Sequence, residues 1–453
     1  MKGNLSLVEG PIWKSMLLFA LPILLGNIFQ QFYNAFDSWT VGNFLDGDSL
    51  AAVSSSGSLI FMLVSFFSGL AMGAGVVIAR CFGAKDYDTM SRTIHTTIAF
   101  GLVAGGLLTV AGTFLAPIIL GWMGTPEDIM PKSVSYLSVD FAGVIFLVMY
   151  NVFVGILHAV GDSKHPLYYL IVSSLTNVAL DLLFVALFRW GVWSAALATT
   201  IAQGISALLC FIRLTRVQES YRIEVQKVRF HWDCFKQIIR YGLPSGIQNS
   251  VISMANVVVQ TNINSFGKAA VAGCGAYAKL EGFAFLPVGC FTQALSTFVG
   301  QNLGAGFYQR TKKGVAFGAG CAAIVSLVIS LACYVFAPQL IAIFNDAPDV
   351  VDYGTRHMRT ICPFFALLAL SHCIAAVLRG AGRAVVPMVV MLTCWCALRV
   401  AYVTVALQFV NELETVSRAY PITWTASSII YVIYFFTADW LHGFDKEKKT
   451  VPN

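Results

Sequence analysis

Charge is scarce in this chain. Only 11% of its 453 residues are Asp, Glu, Lys or Arg, where soluble domains carry about a quarter. No polar stretch is long enough to fold alone, and the longest, 214–234, reads as a linker. These shortages exclude a soluble enzyme or a soluble binding module. Catalytic signatures are missing as well. There is no H-E-x-x-H and no G-x-S-x-G, and the seven histidines show no ligand spacing. The eleven cysteines contain no C-x-x-C, and "CWC" at 394–396 is not a useful metal spacing, so they read as small buried hydrophobes. "NSFGKAAV" has the Gly-Lys of a phosphate-binding loop but neither the earlier Gly nor the following hydroxyl. ATP-driven transport is therefore not expected. The basic residues sort by loop rather than by one exposed face, which gives no footing for nucleic acid.

What the chain has is apolar sequence. Hydrophobic residues make up 57%, and the mean hydropathy is +0.73. Apolar runs long enough to cross a hydrocarbon core of ~30 Å as helices recur throughout. About twelve are expected, near 13–38, 50–78, 93–120, 131–158, 165–188, 192–213, 235–262, 269–299, 314–343, 352–378, 386–410 and 418–441. The first is too long for the apolar region of a cleaved signal peptide, and no small-x-small site follows it in a polar context. The fold class is all-α integral membrane, in contact with the lipid bilayer. Of the 29 Lys and Arg, 21 fall in even-numbered loops and the termini and six in odd loops. The positive-inside rule then puts both termini in the cytoplasm.

The chain also repeats. "FALPILLGN" (19–27) matches "YGLPSGIQN" (241–249) at an offset of 222, and "VIARCFGAKDY" (77–87) answers "VGQNLGAGFY" (299–308) at 221. "GILHAVGDSKHPLYY" (155–169) answers "AVLRGAGRAVVPMVV" (376–390) at 221, and "GTPEDI" pairs with "DAPDVV" at nearly the same offset. The expected organisation is a six-helix bundle over 1–213, a cytoplasmic basic linker over 214–234, and a second six-helix bundle with a short tail over 235–453. Six spans per half make the repeat parallel, with a pseudo-two-fold axis along the membrane normal. Bundles duplicated in this way suit alternating access.

In these landmarks the sequence resembles the multidrug and toxic compound extrusion (MATE) transporters, in their bacterial DinF/MepA-like branch. "LP…N" in spans 1 and 7, "GQNLGAG", "GD-x-K-x-P", "LRG-x-G" and "NVALDLLFVALFRWGVWSAALAT" (177–199) carry the resemblance over nearly the whole chain. It implies export of small organic cations, including drugs, by an antiporter in a prokaryotic inner membrane. A proton or sodium gradient would drive it, with no bound cofactor, and the protein would act as a monomer. The alternatives are sodium-coupled drug efflux, or a flippase for a lipid-linked precursor from the same superfamily. The in-span balance of four acids to two bases favours cationic cargo over a pyrophosphate.

Few ionisable residues lie inside the spans: Asp37, Asp140, Asp181, Lys279, Glu281 and Arg399. Each costs about 2.5–3.5 kcal/mol near a helix centre on insertion scales, so each is a functional candidate. Tyr33 precedes Asp37 by four residues and Asn177 precedes Asp181 by four, on shared helical faces, as hydrogen-bonding neighbours. A carboxyl group in an apolar cavity holds its proton more tightly, and a nearby carboxylate strengthens this for one of the two. The resemblance assigns proton coupling to Asp37, with Asp181, Asn177 and Tyr33 as partners; sodium at Asp37, Asn177 and Asp181 stays open. Val259 and Tyr402 stand opposite Asp37 and Asp181 in the second half, so the acidic pair belongs to the first half alone. Glu281 falls where sodium-linked members keep a cavity Glu, but Leu368 stands where they keep an Asp. The expected substrate cavity comprises Glu281, Gln30, Asn34, Asn151, Phe283, Phe285 and Gln293, where carboxylate and rings would attract a cation. Asp140, close to the outer surface, and Arg399, a candidate partner for Glu281, are read as structural.

Overall fold

The computed structural model describes residues 6–442. Lys2, Lys446, Lys448 and Lys449, four of the basic residues expected on the cytoplasmic side, lie outside the described residues. The described chain is helical, with no strand among the described residues. The helices are α1 (Ile12–Phe44), α2 (Gly47–Gly83), α3 (Tyr87–Trp122), α4 (Met130–Ala159), α5 (Lys164–Asp181), α6 (Trp193–Arg216), α7 (Trp232–Asn264), α8 (Lys268–Gly304), α9 (Tyr308–Val335), α10 (Ala337–Ala342), α11 (Pro348–Ile361), α12 (Phe365–Gly380), α13 (Val385–Met391), α14 (Arg399–Phe409) and α15 (Leu413–Thr437). A spanning segment must satisfy its backbone internally, and helices do so. Among the described residues, eleven helical segments are long and apolar enough to cross a membrane. The twelfth expected span is α7, a helix of 33 residues that is more polar than the others of its length. This is a multi-pass membrane protein.

Two compact units divide the chain. Among the described residues, one holds 6 and 21–246, the other 7–20 and 247–442. Each first helix is therefore shared: α1 changes unit between residues 20 and 21, α7 between 246 and 247. Pro22 and Pro244, each inside its helix, lie within three residues of those points. A mid-helix Pro leaves one carbonyl unbonded, a natural place for a helix to bend.

The repeat reaches the backbone. Lys85 (φ 58°) and Gly306 (φ 76°) take the left-handed conformation at the elbows after α2 and α8. Gly161 (φ 87°) and Gly382 (φ 77°) do the same after α4 and α12. Both pairs keep the offset of 221. Inside the units, missing side chains permit close helix packing. A Cβ on Gly73 of α2 would lie 2.2 Å from the backbone nitrogen of Gly242 in α7, and one on Gly273 of α8 would lie 2.7 Å from that of Gly354 in α11.

Candidate functional site

α1 carries Tyr33 and Asp37, α4 carries Tyr136 and Asp140, and α5 carries Asn177 and ends on Asp181. All lie in the first unit. After Asp181 the helix widens into a π turn, Leu182–Leu187. Such turns are rare, and they often mark functional positions because they re-aim the residues beside them. Asp181 and Asn177 are 0% and 1% exposed. Val41 and Val185, four residues on from Asp37 and Asp181, belong to an apolar cluster with Tyr136, Val192, Ala195 and Ala196.

The carboxyl groups of Asp37 and Asp181 are within hydrogen-bonding reach of each other. Yet Oδ1 of Asp37, both carboxyl oxygens of Asp181 and Oδ1 of Asn177 are buried without a hydrogen-bond donor. Four acceptor oxygens thus gather with nothing donating to them. Buried acceptors left like this are costly. A proton shared between the two carboxyl groups satisfies one oxygen of each, and a bound cation draws on all four. Asp140 and Asp37 lie close enough to act on one another electrostatically, and Tyr136 feels Asp37, Asp140 and Asp181.

Asp37, Asp181, Asn177 and Tyr33 come together as expected by their chain positions, but their hydrogen bonds run elsewhere. Tyr33 bonds Gln30 on its own helix instead of Asp37. Asn177 Nδ2 donates to Thr199 Oγ1 of α6 at 3.3 Å instead of to Asp181. Asp140, read as structural, belongs to this cluster. A signal for it exists in the sequence: Tyr136 and Asp140 repeat the four-residue Tyr-to-Asp spacing of Tyr33 and Asp37. Thr199 has no such signal.

The other cavity candidates are dispersed. Gln30 and Asn34 are exposed on α1, and half-buried Asn151 gives its amide to the Leu147 carbonyl at 2.9 Å. In the second unit Phe283 is exposed, Gln293 is half-buried, and Phe285 packs edge-on against the His372 ring at 4.9 Å. Glu281 lines a small void with Phe285, Ser326, Phe365 and Leu368. Lys279 turns onto the Phe344 ring, consistent with its different helical face from Glu281.

Comparison with known proteins adds the following. The family model described as MatE matches residues 22–183 and again residues 244–405, once in each half. "Probable multidrug resistance protein YpnP" of Bacillus subtilis is 29% identical over 399 residues, 86% of this chain and 87% of that protein. "Probable multidrug resistance protein YoeA" of the same organism is 28% identical over 433 residues, covering 94% and 93%. Among solved structures, "Outward-facing conformation of a multidrug resistance MATE family transporter of the MOP superfamily" superposes with a TM-score of 0.90 at 21% identity, over 99% of this chain and 100% of that one.

Proposed function

This chain belongs to the MatE family of membrane transporters, and on that premise we propose that it exports organic cations in exchange for protons bound at Asp37 and Asp181. The unsatisfied acceptor oxygens of Asp37, Asp181 and Asn177 carry this reading. A proton between the two carboxyl groups satisfies acceptors that face each other. Removing it leaves like charges together in a dry site, which favours recruitment of a cationic cargo. Proton and cargo therefore compete for the same negative charge, and exchange follows. Each proton moving down 100 mV supplies about 2.3 kcal/mol, with any pH gradient added. Sodium is the second reading. Asp37, Asn177 and Asp181 would hold it through the same oxygens. The similarity to proteins named for multidrug resistance supports drug-like cargo. The bacterial relatives support a prokaryotic inner membrane, and the loop charges favour both termini in the cytoplasm; a monomer that needs no bound cofactor completes the reading.

Cation-dye uptake into everted vesicles tests this. A proton gradient and, separately, a sodium gradient are imposed on wild type and on Asp37→Asn. Uptake driven by protons and lost in the variant is the expected result. Uptake driven only by sodium would move the ion assignment to the second reading. No dye movement under either gradient would overturn cationic cargo and favour the lipid-linked precursor.

A further inference from the structure

A groove of about 530 Å³ opens in the second unit, at the end that the loop charges assign to the cytoplasm. Lys312, in the first turn or so of α9, stands at its lip. Ala319 of α9, Leu370 and Ile374 of α12, and Val432 and Phe436 of α15 line it. Its volume falls within the ~300–1,000 Å³ usual for ligand sites. From Lys312 to Ala319 is two turns of helix, about 10 Å of depth. Phe436 is 80% exposed, and a large apolar ring left open on a spanning helix faces lipid. One end of the groove is walled by the turn after α15. There Trp440 is 4% exposed, its Nε1 donates to the Phe435 carbonyl at 3.1 Å, and its ring stacks on Phe435 at 4.8 Å. Asp439 pairs with His442 at 2.7 Å, and the His442 ring lies 4.9 Å from that of Tyr308 at the start of α9. The turn is thus fastened to both α15 and α9. Asp439, the acid of the lining, is engaged in this way, whereas Lys312 has no hydrogen bond or ion pair among the described residues.

The repeat marks this opening as a departure. At the offset of 221, Ile374 and Val432 answer to Phe153 and Phe211 of the first unit, whose rings lie 5.8 Å apart. Lys312 answers to Ser91. Two rings therefore stand in the first unit where two smaller aliphatic side chains leave space in the second. A hydroxyl stands there in place of the ammonium.

We propose that this groove seats one acyl chain of an anionic phospholipid, with the lipid phosphate on Lys312. The trough is apolar and accepts a hydrocarbon chain without stripping water from polar groups. The lysine stem runs along the apolar wall and lifts its ammonium to the level of the headgroups. An anionic headgroup brings a phosphate and no cation of its own, so it gains the most from an unpartnered ammonium. Basic pockets between helices on the cytoplasmic side bind acidic headgroups on the same principle. The bound lipid bridges α9, α12 and α15 at one end of the second unit. The site uses residues of that unit alone and holds whichever ion drives transport.

The test uses the full chain in proteoliposomes of phosphatidylethanolamine. Two probes, a phosphatidylglycerol and a phosphatidylcholine, each carry a photoreactive group midway along one acyl chain, and labelled peptides are mapped by mass spectrometry. In wild type the anionic probe is expected to label residues 370–374 of α12 about fivefold more than the zwitterionic one, the scale of one lysine near an anionic surface. Lys312 is exposed, so Lys312→Gln leaves the fold intact; it brings the two probes level, and Lys312→Arg keeps the preference. Ile374→Phe together with Val432→Phe gives the groove the rings of the first unit and removes the labelling by either probe. Three results overturn the proposal: equal or absent labelling of α12 by the two probes in wild type, a preference unchanged in Lys312→Gln, or labelling that survives the filled groove.

Discussion

In the first unit three carboxylates, Asp37, Asp140 and Asp181, gather from α1, α4 and α5, and no Lys or Arg is among the groups acting on them. In the second unit Glu281 has Arg399 within electrostatic range. One duplicated plan has therefore received two treatments of the same problem. Negative charge inside a membrane protein needs a partner. The first unit gathers carboxyl oxygens with no donor, while the second ties its buried guanidinium to Asn256 and Thr423. The carboxylates do not occupy equivalent positions of the repeat: Val259 and Tyr402 stand opposite Asp37 and Asp181.

The strongest way to break this contrast is to transplant the charge. Val259, opposite Asp37 in the repeat, is 1% exposed and packs with Ile263, Ala270, Cys274, Leu413 and Val416. Val259→Asp buries a carboxylate among apolar side chains, and should cost ~3–5 kcal/mol, the scale of an uncompensated buried charge. Folded yield and thermal unfolding in detergent would read it. Asp37→Val is the reciprocal change: it should lose ion coupling without lowering stability, because it removes unsatisfied acceptors. A Val259→Asp protein as stable as wild type would mean that the two units differ less than their charges suggest.

A smaller effect sharpens the contrast in packing. In the first unit the start of α7 packs closely on α2 at Gly73 and Gly242. Gly73→Ala should therefore cost about 1–3 kcal/mol through overpacking. The second unit holds residues 7–20 by a polar clamp. Arg310 donates to the carbonyls of Gly10 at 2.8 Å, Glu9 at 3.0 Å and Leu7 at 3.2 Å, and Asn302 Nδ2 also reaches Leu7 at 3.2 Å. Arg310→Met should cost about 1–2 kcal/mol. Thermal unfolding of the two variants side by side would order them. The reverse order would make the clamp the stronger fastening.

Much of the fold is legible in the sequence because it is periodic. Spans follow from apolar length, and the constant offset of 221 anticipates the paired left-handed turns at Lys85 and Gly306. The acidic pair is legible too, since a carboxylate inside an apolar run stands out. Its wiring is not. A four-residue spacing gives a shared helical face, but says nothing of which neighbouring helix stands opposite; hence Asn177 turns to Thr199 of α6. Asp140 departs from expectation because distance along a span does not give depth within a bundle. The π turns beside Asp181 and before Arg399 leave no mark in residue type, as one extra residue per turn changes phase without changing composition. The sharing of α1 and α7 between units is equally hidden, although Pro22 and Pro244 stand beside the points of change.

The smallest expected effect lies outside the spans, where charge is free to find water. Asp46, between α1 and α2, caps α2 by accepting from the Ser49 backbone N–H at 3.0 Å, and it pairs with Lys132, which also reaches Asp48 at 3.4 Å. The hydrogen bond from Lys132, and then those from Ser49, hold the Asp46 carboxyl below its ordinary value, down to about 2. A carboxyl whose value is lower when folded stabilises the fold fully above its unfolded value of about 3.9, and that stabilisation fades as pH falls toward the folded value. Asp46 is fully exposed, so solvent screens the pair and the gain is slight. Lys132→Met should therefore unfold slightly earlier than wild type at pH 7, with the gap closing between about pH 4 and about pH 2. High salt at pH 7 should narrow the same gap. A gap that persisted to pH 2 would assign the role of Lys132 to the packing of its aliphatic stem, which neither acid nor salt can remove.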